Sequence, residues 1–108
     1  MNPAQRNNNP INIEYAGQPG AKADGRFAQW PTPWEGWQGA HRQIEKDQTR
    51  GETIAQFIAK FAPPNENNTS AYLEFVCKEL RVGPDAPLSS VSKYALAAVM
   101  AQMEGYYA

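Results

Sequence analysis

Thr32-Pro33-Trp34-Glu35-Gly36-Trp37-Gln38-Gly39-Ala40-His41-Arg42-Gln43-Ile44 marks the point where this chain turns from loop-forming to helix-forming sequence. Thr32 offers a side-chain oxygen to the first free amides of a helix, and Pro33 suits the first helical position, where its missing N–H costs nothing. Trp34, Trp37, Ala40/His41 and Ile44 then recur at steps of three and four, the period of one helical face. The spacing predicts a helix to about Gln48. It carries Gly36 and Gly39, each about 1 kcal/mol worse than Ala in a helix interior, so this face is expected to lie close against another backbone.

Downstream the pattern repeats. Glu52–Phe61 places Ile54, Phe57, Ile58 and Phe61 on one stripe and stops at Pro63-Pro64. Asn68 or Thr69 caps a third helix, Ser70–Leu80, with Tyr72, Phe75, Val76, Glu79 and Leu80 along one side, closed by Gly83-Pro84. The loop Gly83–Ala86 reads as exposed. Ser89 or Ser90 caps a fourth helix, which runs to about Glu104 with Ala95, Ala98, Val99 and Met103 turned inward. Upstream, residues 1–33 are rich in Asn, Gly and Pro. Ile11, Ile13 and Tyr15 alternate as in a half-buried strand, Asp24-Gly25 is a turn signal, and Phe27–Trp30 forms a second extended arm. Gly17–Lys22 between them reads as lacking regular structure. The expectation is one mainly α (α+β) domain spanning residues 1–108, with a loop and irregular β-hairpin in 1–33 and about four helices in 34–108.

Composition narrows the function. Ten Lys+Arg against eleven Asp+Glu give a net charge of -1, whereas phosphate recognition needs a basic face. Nucleic acid is therefore not an expected partner. The single cysteine, Cys77, forms no internal disulfide and reads as a small core residue. His41 and Glu45 lie one helical turn apart, but two ligands are too few for a metal site. No cofactor or metal is expected. The longest apolar run, Tyr94–Ala101, is far short of the ~20 residues of a membrane span. Met1–Pro10 has no apolar signal core. Trp30, Trp34 and Trp37 exceed the needs of a small core, and Trp stacks well on flat apolar faces. A carbohydrate groove using Trp30 or Trp34 is one expectation. Glu104 ends a hydrophobic helix, where the dipole disfavours an anion by about 0.3–1 kcal/mol. An apolar setting there suits a general acid; a frayed terminal glutamate is the alternative.

Three stretches carry a resemblance. Asn8-Asn9-Pro10-Ile11-Asn12-Ile13 is similar to the Asn-Asn-x-x-Gly-Ile of the glucosaminidase branch of the lysozyme superfamily. Arg26-Phe27-Ala28-Gln29-Trp30 leading into Pro31–Gln43 resembles that family's Phe-x-x-Tyr/Phe strand before a helix. Phe61-Ala62-Pro63-Pro64-Asn65-Glu66-Asn67-Asn68-Thr69-Ser70-Ala71-Tyr72 resembles its Tyr-Ala-Thr-Asp-Pro-x-Tyr segment, and more closely the corresponding segment of small phage virion proteins related to cell-wall lytic enzymes. The stretches fall in the family's order over most of residues 7–80. The resemblance implies a lysozyme-like domain that cleaves peptidoglycan glycan strands, as a lytic transglycosylase or a muramidase-like hydrolase.

One departure is decisive. The family carries its catalytic Glu on a helix before the Asn-Asn motif, in a pattern like Ala-Gln-Ala-x-x-Glu-Ser-Gly. Only Met1–Asn7 precede the motif here, and none of them is acidic. A similar pattern, Ala101-Gln102-Met103-Glu104-Gly105, stands at the other end. Two explanations are open: a circular permutation that moved the catalytic helix, or its loss with a chance match at the C-terminus. Under permutation the resemblance implies Glu104 as acid/base and Tyr72 beside the reacting sugar. Asn8, Asn9 and Asn12 then bind sugar hydroxyls or hold the loop beneath the site, with Glu66 as an auxiliary carboxylate. The competing expectations are a non-catalytic virion or assembly protein retaining the fold, with other virion proteins as partners, and a sugar-binding module. The implied location is a phage virion, or the host cytoplasm before release.

Overall fold

A computed structural model describes residues 1–65 and 67–108. Helix α2, Pro33–Gln48, forms as its sequence dictates: the Thr32 side chain accepts the Glu35 amide at 3.3 Å, and Pro33 opens the first turn. The remaining elements are α1 (Pro3–Arg6), β1 (Lys22–Asp24), β2 (Phe27–Gln29), α3 (Ile54–Phe61), α4 (Thr69–Leu80) and α5 (Lys93–Met103), with a 3₁₀ turn at Leu88–Ser90. The result, among the described residues, is a mainly helical domain of five helices with an antiparallel two-stranded hairpin near its N-terminus. No helix of the described residues is long and apolar enough to cross a membrane.

Helix α5 is the centre of the packing. It touches both α2 and α4, while α3 packs on α4. Leu96, Ala97, Val99, Met100 and Ala101 are all buried, with Trp30, Ile44, Ile54, Phe57, Ile58, Val76 and Leu88 completing much of the core. Each fully buried large side chain contributes about 1.5–3 kcal/mol relative to exposure. The inward face of α5 is not the expected one. Of Ala95, Ala98, Val99 and Met103 only Val99 is buried. The helix is capped by Ser92, whose hydroxyl accepts the Ala95 amide, and neither Ser89 nor Ser90 caps it. Flanked on two sides, the helix buries two stripes, which blurs the single period from which its phase was read.

The glycines of α2 do lie against neighbouring groups. A methyl at Gly36 would stand 1.6 Å from the backbone oxygen of Asn8, and one at Gly39 would stand 2.4 Å from the Trp30 ring. The N-terminal loop therefore seats directly on α2.

The hairpin pairs differently from expectation. Its arms are β1 and β2, with Ala23 opposite Ala28, and Gly25 takes a positive φ in the connection. The Ile11–Tyr15 stretch lies on the other side of β2 and makes an isolated bridge, Glu14 opposite Phe27. Asn12 explains why it is no strand: its φ of 54° breaks the extended run. The expected Gly83–Ala86 loop is half committed, since the carbonyls of Pro84 and Ala86 accept the Ala55 and Ile54 amides at the start of α3. Helix α1 is too short for a periodic signal, but Asn2 and Gln5 form a reciprocal capping box around it.

Candidate active site

The site begins where α5 stops. Gly105 has a φ of 81°; its amide reaches the Gln102 carbonyl, and the Tyr106 amide reaches that of Ala101. These are the two bonds of a glycine-terminated helix end. They hold Glu104 at the last position before the chain reverses. Its Oε1 accepts the Asn12 amide Nδ2 at 2.9 Å, and its Oε2 accepts the Tyr72 hydroxyl at 2.9 Å. Three residues from the N-terminal loop, α4 and the end of α5 thus meet at one carboxylate.

Each partner is fixed by its own element. Tyr72 lies in the first turn of α4, whose N-terminus Asn68 caps, and is 3% exposed. Burial, reinforced by the Glu104 charge, pushes its phenol well above the usual tyrosine range, so it remains a protonated hydroxyl. Asn12 belongs to a loop built around Asn9, which is fully buried. The Asn9 side chain donates to the carbonyls of Ile13 and Ala28 and accepts the Ile13 amide, all at 2.9 Å. Asn8 adopts a φ of 48° and donates through its side chain to the Trp30 carbonyl. Left-handed backbone suits Asn better than most residues.

These positions sort the expected sugar contacts. Asn9 has no exposed surface, so it shapes the loop and does not meet a ligand. Asn8 is likewise engaged with backbone. Asn12 is the member of the trio on the Glu104 side chain. Its Oδ1 is buried and finds no hydrogen-bond partner among the described residues. Trp30 is corrected outright: it is 1% exposed, its indole N–H donates to the Pro19 carbonyl, and its ring packs over Gly39, leaving no face for a sugar. Trp34 is 68% exposed at the start of α2 but does not line the cleft beside Glu104. Trp37 stacks with His41 and meets Tyr106 edge-on. Glu66 lies outside the described residues.

The cleft beside Glu104 has a volume of about 450 Å³ and is lined also by Asn12, Glu14, Gln43, Asp47, Arg50 and Lys60. Glu14, Asp47, Arg50 and Lys60 had no place in the reading of the sequence. A signal for Asp47 existed, because it continues the inward stripe Gly36, Ala40, Ile44 at a spacing of three. It is 2% exposed and accepts Gln43 at 3.0 Å, Arg50 at 2.8 Å and Lys60 at 3.4 Å. His41 and Glu45 are committed elsewhere: His41 meets the Tyr94 ring, and Glu45 pairs with Lys93. Cys77 is half-buried, and burial raises its thiol pKa.

The two chain ends meet behind the site. The Asn2 side chain donates to the Gly105 carbonyl at 2.8 Å, and that of Gln5 donates to the Ala108 carbonyl at 2.6 Å. The turn that carries Glu104 is therefore tied to the helix that leads into Asn8-Asn9.

No family model matches the chain. Among curated proteins it is similar to "Protein P5" of Pseudoalteromonas phage PM2, at 29% identity over 109 residues, a match covering 92% of this chain and 68% of the phage protein. The similarity makes the chain a distant homologue of a phage protein.

Proposed function

We propose that this protein cleaves the glycan strand of peptidoglycan by acid–base chemistry at Glu104, in the service of a phage. One observation carries the reading. Glu104, Asn12 and Tyr72 come from three remote stretches of sequence, two of them within motifs of the lysozyme superfamily, and converge on one carboxylate at the edge of a cleft.

In this mechanism Glu104 protonates the glycosidic oxygen as the bond to the anomeric carbon breaks, then takes a proton from the attacking hydroxyl. Asn12 and Tyr72 hold the plane of the carboxyl group from either side. The Tyr72 hydroxyl donates to Glu104 when it is ionised and can accept from it when it is protonated, so the contact survives both halves of the cycle. Asp47 is saturated by two cations and a glutamine and is unsuited to a nucleophile's role, whereas Glu14 is an exposed carboxylate in the same cleft. Attack by the muramoyl 6-hydroxyl gives the anhydro product of a lytic transglycosylase; attack by water, with Glu14 assisting, gives a reducing end.

The circular order follows the same reading. The hydrogen bonds from Asn2 and Gln5 to the C-terminal turn bring the Glu104 helix end to the start of the Asn-Asn loop, as expected if an ancestral connection between the two was cut here. A second reading, a phage particle or assembly protein that keeps these residues as loop architecture, is favoured by the burial of Asn9 and Tyr72 and by the homology to a phage protein. Zymography on purified peptidoglycan separates the two, with mass spectrometry of the products distinguishing anhydro from reducing ends. Cleared bands support the enzyme; intact peptidoglycan with the folded protein supports the second reading.

A further inference from the structure

The strongest feature that the proposed acid does not use is the Asp47–Arg50–Lys60 cluster in the same cleft. Asp47 stands in the last turn of α2, where the helix dipole disfavours an anion by about 0.3–1 kcal/mol. It is almost completely buried, which adds the cost of removing a carboxylate from water. Neither placement helps the helix. What the carboxylate does is hold two cations: its Oδ1 takes Arg50 at 2.8 Å and Lys60 at 3.4 Å, while Gln43 occupies its Oδ2 at 3.0 Å. Lys60 is steadied from another side by Glu52 at 2.9 Å.

The counter-ion lies beneath and the cations lie above. The side chains of Arg50 and Lys60 remain half exposed, against 3% for Asp47, and both line the cleft. A guanidinium has five N–H donors in a planar fork and an ammonium has three, so each has capacity beyond the bonds to Asp47 and Glu52. A fork pre-oriented by a buried carboxylate loses little freedom when a second carboxylate docks on it.

We infer that Arg50 and Lys60 form a carboxylate subsite, and that the cleft takes glycans carrying acidic substituents in preference to neutral ones. The inference rests on the glycan-cleaving reading above and specifies its substrate class. The carboxylate has two possible sources, the lactyl ether of the sugar or a stem peptide attached to it, and both present the same group to the fork.

The test is a binding measurement on full-length protein carrying Glu104→Gln, so that ligands stay intact. Three probes of equal glycan length are compared: a neutral chito-oligosaccharide, a peptidoglycan glycan with free lactyl groups, and the same glycan with stem peptides. At least one acidic probe is expected to bind about tenfold or more tightly than the neutral one, the scale of one charge-assisted bond. Preference for the free lactyl glycan identifies the sugar's own acid; preference confined to the third probe identifies the stem peptide. Adding Asp47→Asn, Arg50→Gln and Lys60→Gln together removes the subsite without leaving the Asp47 carboxylate buried and unpaired. It should abolish the preference and leave neutral binding in place. Should that protein fail to fold, Arg50→Gln alone keeps Lys60 on Asp47 and should reduce the preference severalfold. Equal binding of all three probes, or a preference that survives the substitutions, overturns the subsite and leaves the glycan reading standing. No binding of any probe overturns both.

Discussion

Gly36→Ala sets helix propensity against packing and gives a prediction whose sign is fixed by the structure. In an isolated helix the change stabilises by about 1 kcal/mol, because alanine loses less backbone freedom on folding. In this protein the new methyl carbon would lie 1.6 Å from the Asn8 carbonyl oxygen and 2.8 Å from its carbonyl carbon, against the 3.0 Å that real contacts respect. Both obstacles are backbone, so no rotamer change relieves them. The loop must retreat by roughly 1.4 Å, which puts the cost in the upper part of the range for overpacking, about 2–3 kcal/mol. Net destabilisation of about 1–2 kcal/mol is expected, a fall in thermal midpoint of roughly 4–16 °C for a domain of this size. The same loop carries Asn12, so the shift disturbs its contact with Glu104. Peptidoglycan clearing should therefore fall at temperatures where the variant is still fully folded. The assay pairs a circular-dichroism melt with a turbidity assay on cell walls well below the midpoint. A midpoint that rises, as propensity alone dictates, would refute the close seating of the Asn8 loop on α2.

Other outcomes follow from the same geometry. Tyr72→Phe removes one charge-assisted bond to Glu104, worth about 1.5–3 kcal/mol, so the wall-clearing rate should drop about 10- to 100-fold with the fold retained; full activity would deny the hydroxyl a role. Burial, then the Lys93 charge, lowers the His41 pKa, so the fold favours neutral imidazole. Its contribution is complete above the unfolded value of about 6.5 and is lost as pH falls from there through the lowered folded value. His41→Phe should therefore show a smaller fall in midpoint between about pH 7.5 and pH 5 than the parent; an identical fall would contradict the assignment. Closing the backbone from Ala108 to Met1 with a short Gly/Ser linker should raise the midpoint, because ends already joined by hydrogen bonds need no rearrangement and the unfolded chain loses freedom. A lowered midpoint would show that the ends are held apart in solution.

What could be read from the residues follows the locality of each signal. The caps and period of α2 are encoded within a few residues, and Gly36 and Gly39 announced a close approach because a helix tolerates such residues only for a reason. The hairpin pairing was not legible, since it turns on the left-handed backbone of Asn12, which alternation of Ile11, Ile13 and Tyr15 conceals. The phase of α5 is not legible, because a helix between two neighbours buries more than one stripe. At the site, Glu104 and Asn12 lie at opposite ends of the chain, and no spacing rule connects them; family order suggested that they belong together. Trp30 looked like a sugar platform because tryptophan serves equally as core, and only the tertiary structure shows which. Asp47 is concealed for the opposite reason: a charge on an apolar stripe resembles an interruption, and its two cations lie elsewhere in the sequence.

The central claim is that Glu104 is a proton donor, and Glu104→Gln tests it most directly. The amide can keep both contacts, with its oxygen accepting from Asn12 and its nitrogen donating to the Tyr72 hydroxyl, so the shape of the site is retained while the transferable proton is gone. The measurement is the release of soluble glycan fragments from purified peptidoglycan by the two proteins, with their thermal midpoints recorded alongside. Glu104→Gln is expected to lose about 10²- to 10⁴-fold in release with a midpoint equal to or slightly above the parent's. Release at the parental rate would contradict the claim.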